Sequence, residues 1–240
     1  MRTLSFALLA CVLVGTVAEG AAAQQVPSPY RYVERQQEIG FFVGYVATER
    51  GIQVDTTDVG EVPFGPESAP LFGVRYAYRL GGPISVGVSI GYLPSQRRVF
   101  FNRGLPGDTN AVVLGDTADT DANLLLAQGE LLLHLTGDRT YRGFAPFVGV
   151  AAGIATELGD AGPAEREIPE DQRFDFGPSF ALAGALGTDY FVTERVSLRA
   201  EVRDQLWRIE LPEGLRTDDD ADDARYTQNF TVQVGLAYHF

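Results

Sequence analysis

From Phe230 to Phe240, the last residue of the chain, every second position is apolar or aromatic: Phe230, Val232, Val234, Leu236, Tyr238 and Phe240. The residues between them, Thr231, Gln233, Gly235, Ala237 and His239, are small or polar, as is Asn229 before them. A β-strand sends successive side chains to opposite faces, so this stretch has one face for hydrocarbon and one for a polar interior. A chain that ends on such a strand, rather than beyond it, is expected to close a barrel with it.

The same two-residue period recurs upstream. Ile39, Phe41, Val43, Tyr45 and Ala47 alternate with Gly40, Phe42, Gly44 and Val46, and Phe72, Val74, Tyr76, Tyr78 and Leu80 with Gly73, Arg75, Ala77 and Arg79. The third run, Ile84, Val86, Val88, Ile90 and Tyr92 against Ser85, Gly87, Ser89 and Gly91, is the cleanest. A fourth run, around Leu125 to Leu135, is blurred by Leu124, Leu126 and Leu132 on its polar side. Further runs lie near Pro146–Ile154, Phe180–Tyr190 and Val196–Val202. Asp204 interrupts the seventh alternation, and a bulge there is expected to turn Trp207 outward. Connections after the second, fourth and sixth runs are short, at Gly81-Gly82, Thr136 to Gly143 and Phe191 to Arg195. Those after the odd runs are long and acidic. Short turns on one rim and long loops on the other give an eight-stranded antiparallel up-and-down transmembrane β-barrel, all-β, with the short turns expected in the periplasm.

The beginning of the chain fits export. Arg2 is a positive start, Leu4 to Val17 an apolar core, and Ala21-Ala22-Ala23 a small-residue cleavage site, so residues 1–23 are expected to be a signal peptide. Residues 24–37, polar with Pro27 and Pro29, read as a short periplasmic lead-in, and 38–240 as the barrel. The one cysteine, Cys11, falls inside the signal segment, so the mature protein is expected to use neither disulfides nor thiol chemistry. With 45% hydrophobic residues and a mean hydropathy of −0.03, apolar surface must be hidden by alternation rather than in long runs. A formal net charge of −13, with every basic residue an arginine, argues against a nucleic-acid partner.

The stretch Gln233-x-Gly235-x-x-Tyr238-x-Phe240 resembles the C-terminal assembly signal of bacterial outer-membrane barrels. Gly184 to Arg203, GALGTDYFVTERVSLRAEVR, is similar to the strand-turn-strand segment of OmpA-like small outer-membrane barrels. The resemblance implies an outer-membrane location and, during biogenesis, engagement by the barrel-assembly machinery. The best-known members carry a peptidoglycan-binding domain after the barrel; this chain stops at the barrel, so tethering of the cell wall is not implied. Outer-membrane lipids and lipopolysaccharide are the expected surroundings of a monomeric barrel. A soluble lipid-carrying barrel shares the strand count and alternation, but its cavity would be poorly lined by the glycine, serine and charged face seen here.

That polar face carries the candidate chemistry. Arg75, Arg79, Arg199 and Arg203 point the same way as Glu130 and Glu201, and an eight-stranded interior is just wide enough to be filled by side chains. A packed network of charge-assisted hydrogen bonds is expected there, with a gated ion path as the alternative. The only histidines, His134 and His239, lie on the same face without a visible triad spacing and are read as structural; no catalytic residue and no cofactor is expected. A lipid-modifying enzyme is the remaining class, and it would need a Ser, His and acid cluster at a rim. Asp218, Asp219, Asp220, Asp222 and Asp223, with Asp116, Asp119 and Asp121, lack the order of an EF-hand loop. They read as solvated loops, and no dedicated metal site is expected beyond weak divalent binding near lipopolysaccharide phosphates.

Overall fold

The computed structural model describes residues 28–48, 52–56, 60–100, 103–104, 112–113, 117–159, 166, 176–210 and 224–240. The expected signal segment and Asp116, Asp218, Asp219, Asp220, Asp222 and Asp223 lie outside them. Eight long strands build the barrel: β1 Gln37–Thr48, β2 Ala69–Gly81, β3 Ile84–Phe100, β4 Thr117–His134, β5 Phe144–Glu157, β6 Ser179–Phe191, β7 Val196–Glu210 and β8 Ala224–His239. Each pairs antiparallel with its sequence neighbours, and β8 pairs with β1 from Asn229↔Thr48 to His239↔Glu38. The ladder is therefore closed.

Closure fixes which side chains face out. Phe41, Val43 and Tyr45 on β1, Val88 and Ile90 on β3, Val150 on β5 and Leu186 on β6 are all exposed, and they belong to a belt around the whole barrel. An apolar surface of that extent would not persist in water. In a bilayer it is solvated by acyl chains, and closed antiparallel pairing leaves no backbone group unsatisfied there. Outward aromatics mark both edges of the belt. Tyr190, Phe144, Tyr238 and Phe240 lie at the short-turn end, and Tyr45, Tyr92, Phe180 and Phe230 toward the long loops.

The strands outlast the belt. β4, with 18 residues, covers roughly 60 Å along its length and about 45 Å along the barrel axis at the usual tilt. An outward-facing apolar band is about 25 Å tall. The excess rises beyond the lipid at the long-loop end, and the outer face changes character there: Leu133, Leu131 and Leu125 give way to Asn123, Asp121 and Asp119. This explains why the alternation of β3 fades after Tyr92 and why β4 starts at Thr117 rather than near Leu125. Much of what reads as one long polar loop is a paired ladder, with Tyr92↔Leu125 continuing to Phe100↔Thr117. Two small hairpins, Ile52–Thr56 with Gly60–Phe64 and Arg103–Gly104 with Val112–Val113, lie in the first two long connections.

The same transition corrects the expectation at Asp204. Pairing of β7 with β8 runs without interruption from Val196↔Tyr238 to Glu210↔Ala224, so there is no bulge, and Trp207 is fully buried inside the barrel. Asp204 faces outward in step with Val202 and accepts hydrogen bonds from Gln228 Nε2 at 2.8 and 2.9 Å. Above it the inward face turns apolar at Trp207 and Ile209, while the outward face carries Leu206 and then Arg208.

At the short-turn end, the segment before β1 crosses the mouth. Tyr30–Tyr32 pairs antiparallel with Arg139–Tyr141 in the β4–β5 turn, on the opposite side of the eight-strand ring from β1. Val33 N–H donates to Asp138 O at 2.9 Å and Arg79 N–H to Gln36 O at 2.7 Å, anchoring the crossing on both sides.

Replacing Val88, which is 57% exposed and mid-strand, with arginine should cost about 2–4 kcal/mol if this face meets the bilayer midplane. Unfolding by urea in lipid vesicles measures that difference, and a midpoint equal to that of the unmodified chain would contradict the assignment of faces.

Candidate functional site in the barrel lumen

The inward side chains of β7 give the plan of the interior. Above Ser197 at the short turns they are Arg199, Glu201, Arg203, Gln205, Trp207 and Ile209: charged, then amide, then apolar. All six are buried. The lumen is filled in two tiers, one ionic and one hydrophobic.

In the ionic tier, Arg75 from β2 donates to Glu38 at 3.2 Å and to Glu130 and Glu201 at 3.4 Å each. Arg203 reaches Glu130 at 2.8 Å and the amide oxygen of Gln128 at 3.1 Å, and its Nε donates to Glu201. Arg199 forms a two-pronged pair with Asp189 at 2.6 and 2.9 Å. It also stands 3.6 Å from Glu38 and 3.7 Å from Glu201. Arg79 lies toward the mouth, buried, with Nη1 unpaired. Arg75, Arg79, Arg199 and Arg203 are thus matched by Glu38, Glu130, Asp189 and Glu201, so the tier is formally neutral. Neutrality matters because burying an unmatched charge costs several kcal/mol.

Glu38 and Asp189 were not singled out in the sequence as members of this network. Glu38 stands at the start of the first alternating run, and Asp189 is a lone acid in a strand of glycine and alanine. Both occupy inward positions, and that parity is the signal that could have found them. The geometry is set by packing as well as charge. Gly187 leaves room for Phe147, since a Cβ there would lie 2.5 Å from the phenyl ring. Phe147, fully buried, then supports the Arg199 guanidinium at 4.4 Å from its ring centre.

Both histidines have partners the sequence did not reveal. His134 Nε2 lies 2.9 Å from Ser85 Oγ, and His239 Nε2 lies 2.7 Å from Ser197 Oγ. On its other side, His239 Nδ1 is 3.6 Å from Glu38. Ser197, His239 and Glu38 therefore stand in the order of a nucleophile, base and orienting carboxylate. Ser197 is completely buried, however, and Phe191 lies tilted against the His239 ring at 4.8 Å between centres. A nucleophile needs an open approach for its substrate, and the buried Ser197 hydroxyl does not offer one in this arrangement.

An apolar cluster dominates the long-loop half, which also holds the buried Arg97, 3.8 Å from Glu157. Val46, Leu71, Leu93, Leu124, Leu126, Trp207 and Ile209 pack with Phe176, which enters from the connection between β5 and β6. Phe176 meets Trp207 edge-on at 6.3 Å, and its carbonyl accepts from Glu157 N–H at 2.9 Å. The expected uniformly polar lumen is thus half apolar, and Leu124 and Leu126, which blurred the fourth run, belong to this core. Trp207 Nε1 donates to Gln205 at 3.2 Å, and Gln205 donates to Thr231 at 2.7 Å, so polar side chains satisfy one another between the two tiers.

Of the proposed assembly residues, Gln233 faces inward and is buried, while Tyr238 and Phe240 are exposed on the outer face and stacked 6.4 Å apart. Gly235 pairs with Phe42 across the closing seam. Among the described residues no group of three His, Cys, Asp or Glu side chains is placed to hold a metal ion.

A closed eight-strand barrel with an apolar outer belt and a filled interior agrees with the family described as "Outer membrane protein beta-barrel domain", which matches residues 7–240. The chain belongs to this family. Its barrel is accordingly one of the bacterial outer membrane. Comparison with curated proteins gives no match. Among solved structures, the neisserial surface protein NspA superposes with a TM-score of 0.50 at 13% identity, over 85% of this chain and 97% of that one. OprG from Pseudomonas aeruginosa does so with a TM-score of 0.49 at 17% identity, over 86% and 97%. At such identities the likeness is one of fold.

Asp189→Asn should lower stability by about 3–5 kcal/mol, because it strands the Arg199 guanidinium in the lumen without its two-pronged partner. Equilibrium unfolding in lipid vesicles would measure the loss.

Proposed function

We propose that this protein is a closed, non-catalytic outer-membrane barrel with a structural or surface-interaction role, whose lumen does not conduct and whose long acidic loops face the cell exterior. The observation that carries this reading is the two-tier filling of the bore. A network of ion pairs occupies one half, and Trp207 and Phe176 pack in an apolar core in the other, beside the Arg97–Glu157 pair. The cavity that reaches Arg75 and Arg199 has about 20 Å³, room for roughly one water molecule. The acidic loops favour partners that are cationic or bridged by divalent ions, including lipopolysaccharide phosphates.

A gated channel is the second reading, favoured by one feature of the ionic tier. Arg75 divides itself among three carboxylates at nearly equal distance, and Nη1 of Arg79 and of Arg199 lacks a hydrogen-bond partner. Such pairs could exchange. Glu130→Ala separates the two readings. A closed structural barrel loses a few kcal/mol of stability, since Arg75 and Arg203 then face each other with one carboxylate fewer. Its planar-bilayer conductance stays at background, because the apolar tier still blocks the bore. Steady current with little loss of stability would establish the channel.

The C-terminal residues are proposed to engage the barrel-assembly machinery. Deleting Phe240 removes one outward ring from a strand end and leaves the β7–β8 ladder intact. It should therefore reduce outer-membrane levels in cells while leaving refolding into vesicles nearly unchanged. Wild-type levels of the truncated chain in cell fractions would refute that role.

A further inference from the structure

The short-turn end carries a collar of arginines mounted on aromatic rings. Arg139 and Arg142 lie in the β4–β5 turn and Arg195 in the neighbouring β6–β7 turn, all exposed. The Arg139 guanidinium sits 4.4 Å above the Tyr32 ring and that of Arg142 5.6 Å from the centre of Tyr141. Arg195 Nη1 donates to the Tyr238 hydroxyl at 3.5 Å. These rings continue the apolar belt, since Tyr141 pairs with Phe144, which packs on Tyr190 at 4.8 Å.

Arg142 is held at a φ of 52° and Gly143 at 89°. Two consecutive positive φ values make the kind of tight turn that favours asparagine followed by glycine. An arginine in the first of these positions is strained, and the turn itself gains nothing from it. Among the described residues Arg142 is the only non-glycine with a positive φ. The side chain therefore has a use beyond the turn.

Charge points to that use. Arg31, Arg35, Arg139, Arg142 and Arg195 are accompanied at this end by Glu34, Asp138 and Glu194 and by the carboxylate of Phe240, which still leaves an excess of positive charge on a protein of formal charge −13. The nearest of the carboxylates, Asp138, stands 3.9 Å from Arg139 with both side chains about half exposed, so it is a weak competitor. Guanidinium groups at the headgroup level, above rings that reach toward the acyl chains, match a lipid phosphate in both charge and geometry.

We propose that Arg139, Arg142 and Arg195 form a binding collar for anionic phospholipids in the leaflet that meets the short turns, with the phosphodiester held by the guanidinium groups. The proposal rests on the outer-membrane placement but not on whether the lumen conducts, so failure of either reading leaves the other standing.

The test places the folded chain in nanodiscs of equal parts phosphatidylcholine and phosphatidylglycerol, and native mass spectrometry counts the lipids each protein retains. The unmodified protein should retain phosphatidylglycerol preferentially. In Arg139→Gln/Arg142→Asn/Arg195→Gln the preference should fall by about fivefold for each arginine removed, as expected for basic side chains at an anionic surface. Arg142→Asn alone should lose its share of the preference while unfolding at an equal or higher temperature, because asparagine accepts the positive φ. That outcome separates lipid binding from a structural role of the side chain. An unmodified protein without preference, a triple variant with undiminished preference, or displacement of the lipid by excess inorganic phosphate would each overturn the proposal.

Discussion

The seam between β8 and β1 is the interaction on which everything else depends. Without it the outermost strands would offer two rows of unpaired N–H and C=O groups to hydrocarbon, each costing several kcal/mol. With it, every strand has two neighbours. Even Phe240 takes part: its N–H donates to Gln37 O at 2.9 Å and its oxygen accepts from Gln37 N–H at 3.4 Å. A closed ladder also fixes register, and register fixes faces, because a slip of one residue would exchange lipid-facing and lumen-facing side chains along a whole strand. The belt and the filled bore are therefore two consequences of one closure.

Closing on eight strands leaves an interior too narrow for bulk water and too polar to be dry throughout. The charged half answers this with matched ions. Arg75 lies 55 residues from Glu130 and 126 from Glu201 in the chain, yet the three meet, so the network ties β2, β4 and β7 across the bore. Ion pairs of this kind specify an arrangement more than they add stability, since their desolvation offsets much of their attraction. The apolar half, with Trp207, Leu93 and Leu124 almost fully buried, supplies the ordinary packing energy of a protein core.

The barrel strands were legible in the sequence wherever lipid lay outside and lumen inside. Val88 against Ser89, or Val232 against Gln233, declares both faces at once. Legibility stopped where the outside became water. Beyond Tyr92 the outer positions of β3 and β4 are polar, so the strands continued into what reads as loop. Asp204 looked like a fault in the pattern for the same reason, and Trp207 was assigned outward in consequence. The inward charges could be placed on one face by parity alone. Which arginine meets which carboxylate could not, because that depends on distances across the bore. Ser85 and Ser197 as histidine partners were hidden likewise: each lies on a neighbouring strand, at positions set by the register of hairpins rather than by spacing in the chain.

The two tiers also constrain how the bore could open. Exchange of partners within the ionic tier costs little, since Arg75 already shares itself among Glu38, Glu130 and Glu201. Such an exchange frees no path, because the bore above is occupied by Trp207, whose ring packs against Phe176. Opening that half means withdrawing Phe176 and exposing Trp207, Leu93 and Ile209 to water, at a cost on the order of 1.5–3 kcal/mol for each large side chain. Gln205, one inward position above Arg203, is bonded to Trp207 on one side and to Thr231 on the other. The hydrogen bond that Trp207 makes to Gln205 is a single one, worth about 1 kcal/mol. Exposing several buried apolar side chains would cost more than one such hydrogen bond returns, and this balance is what favours the closed barrel proposed above over the gated one.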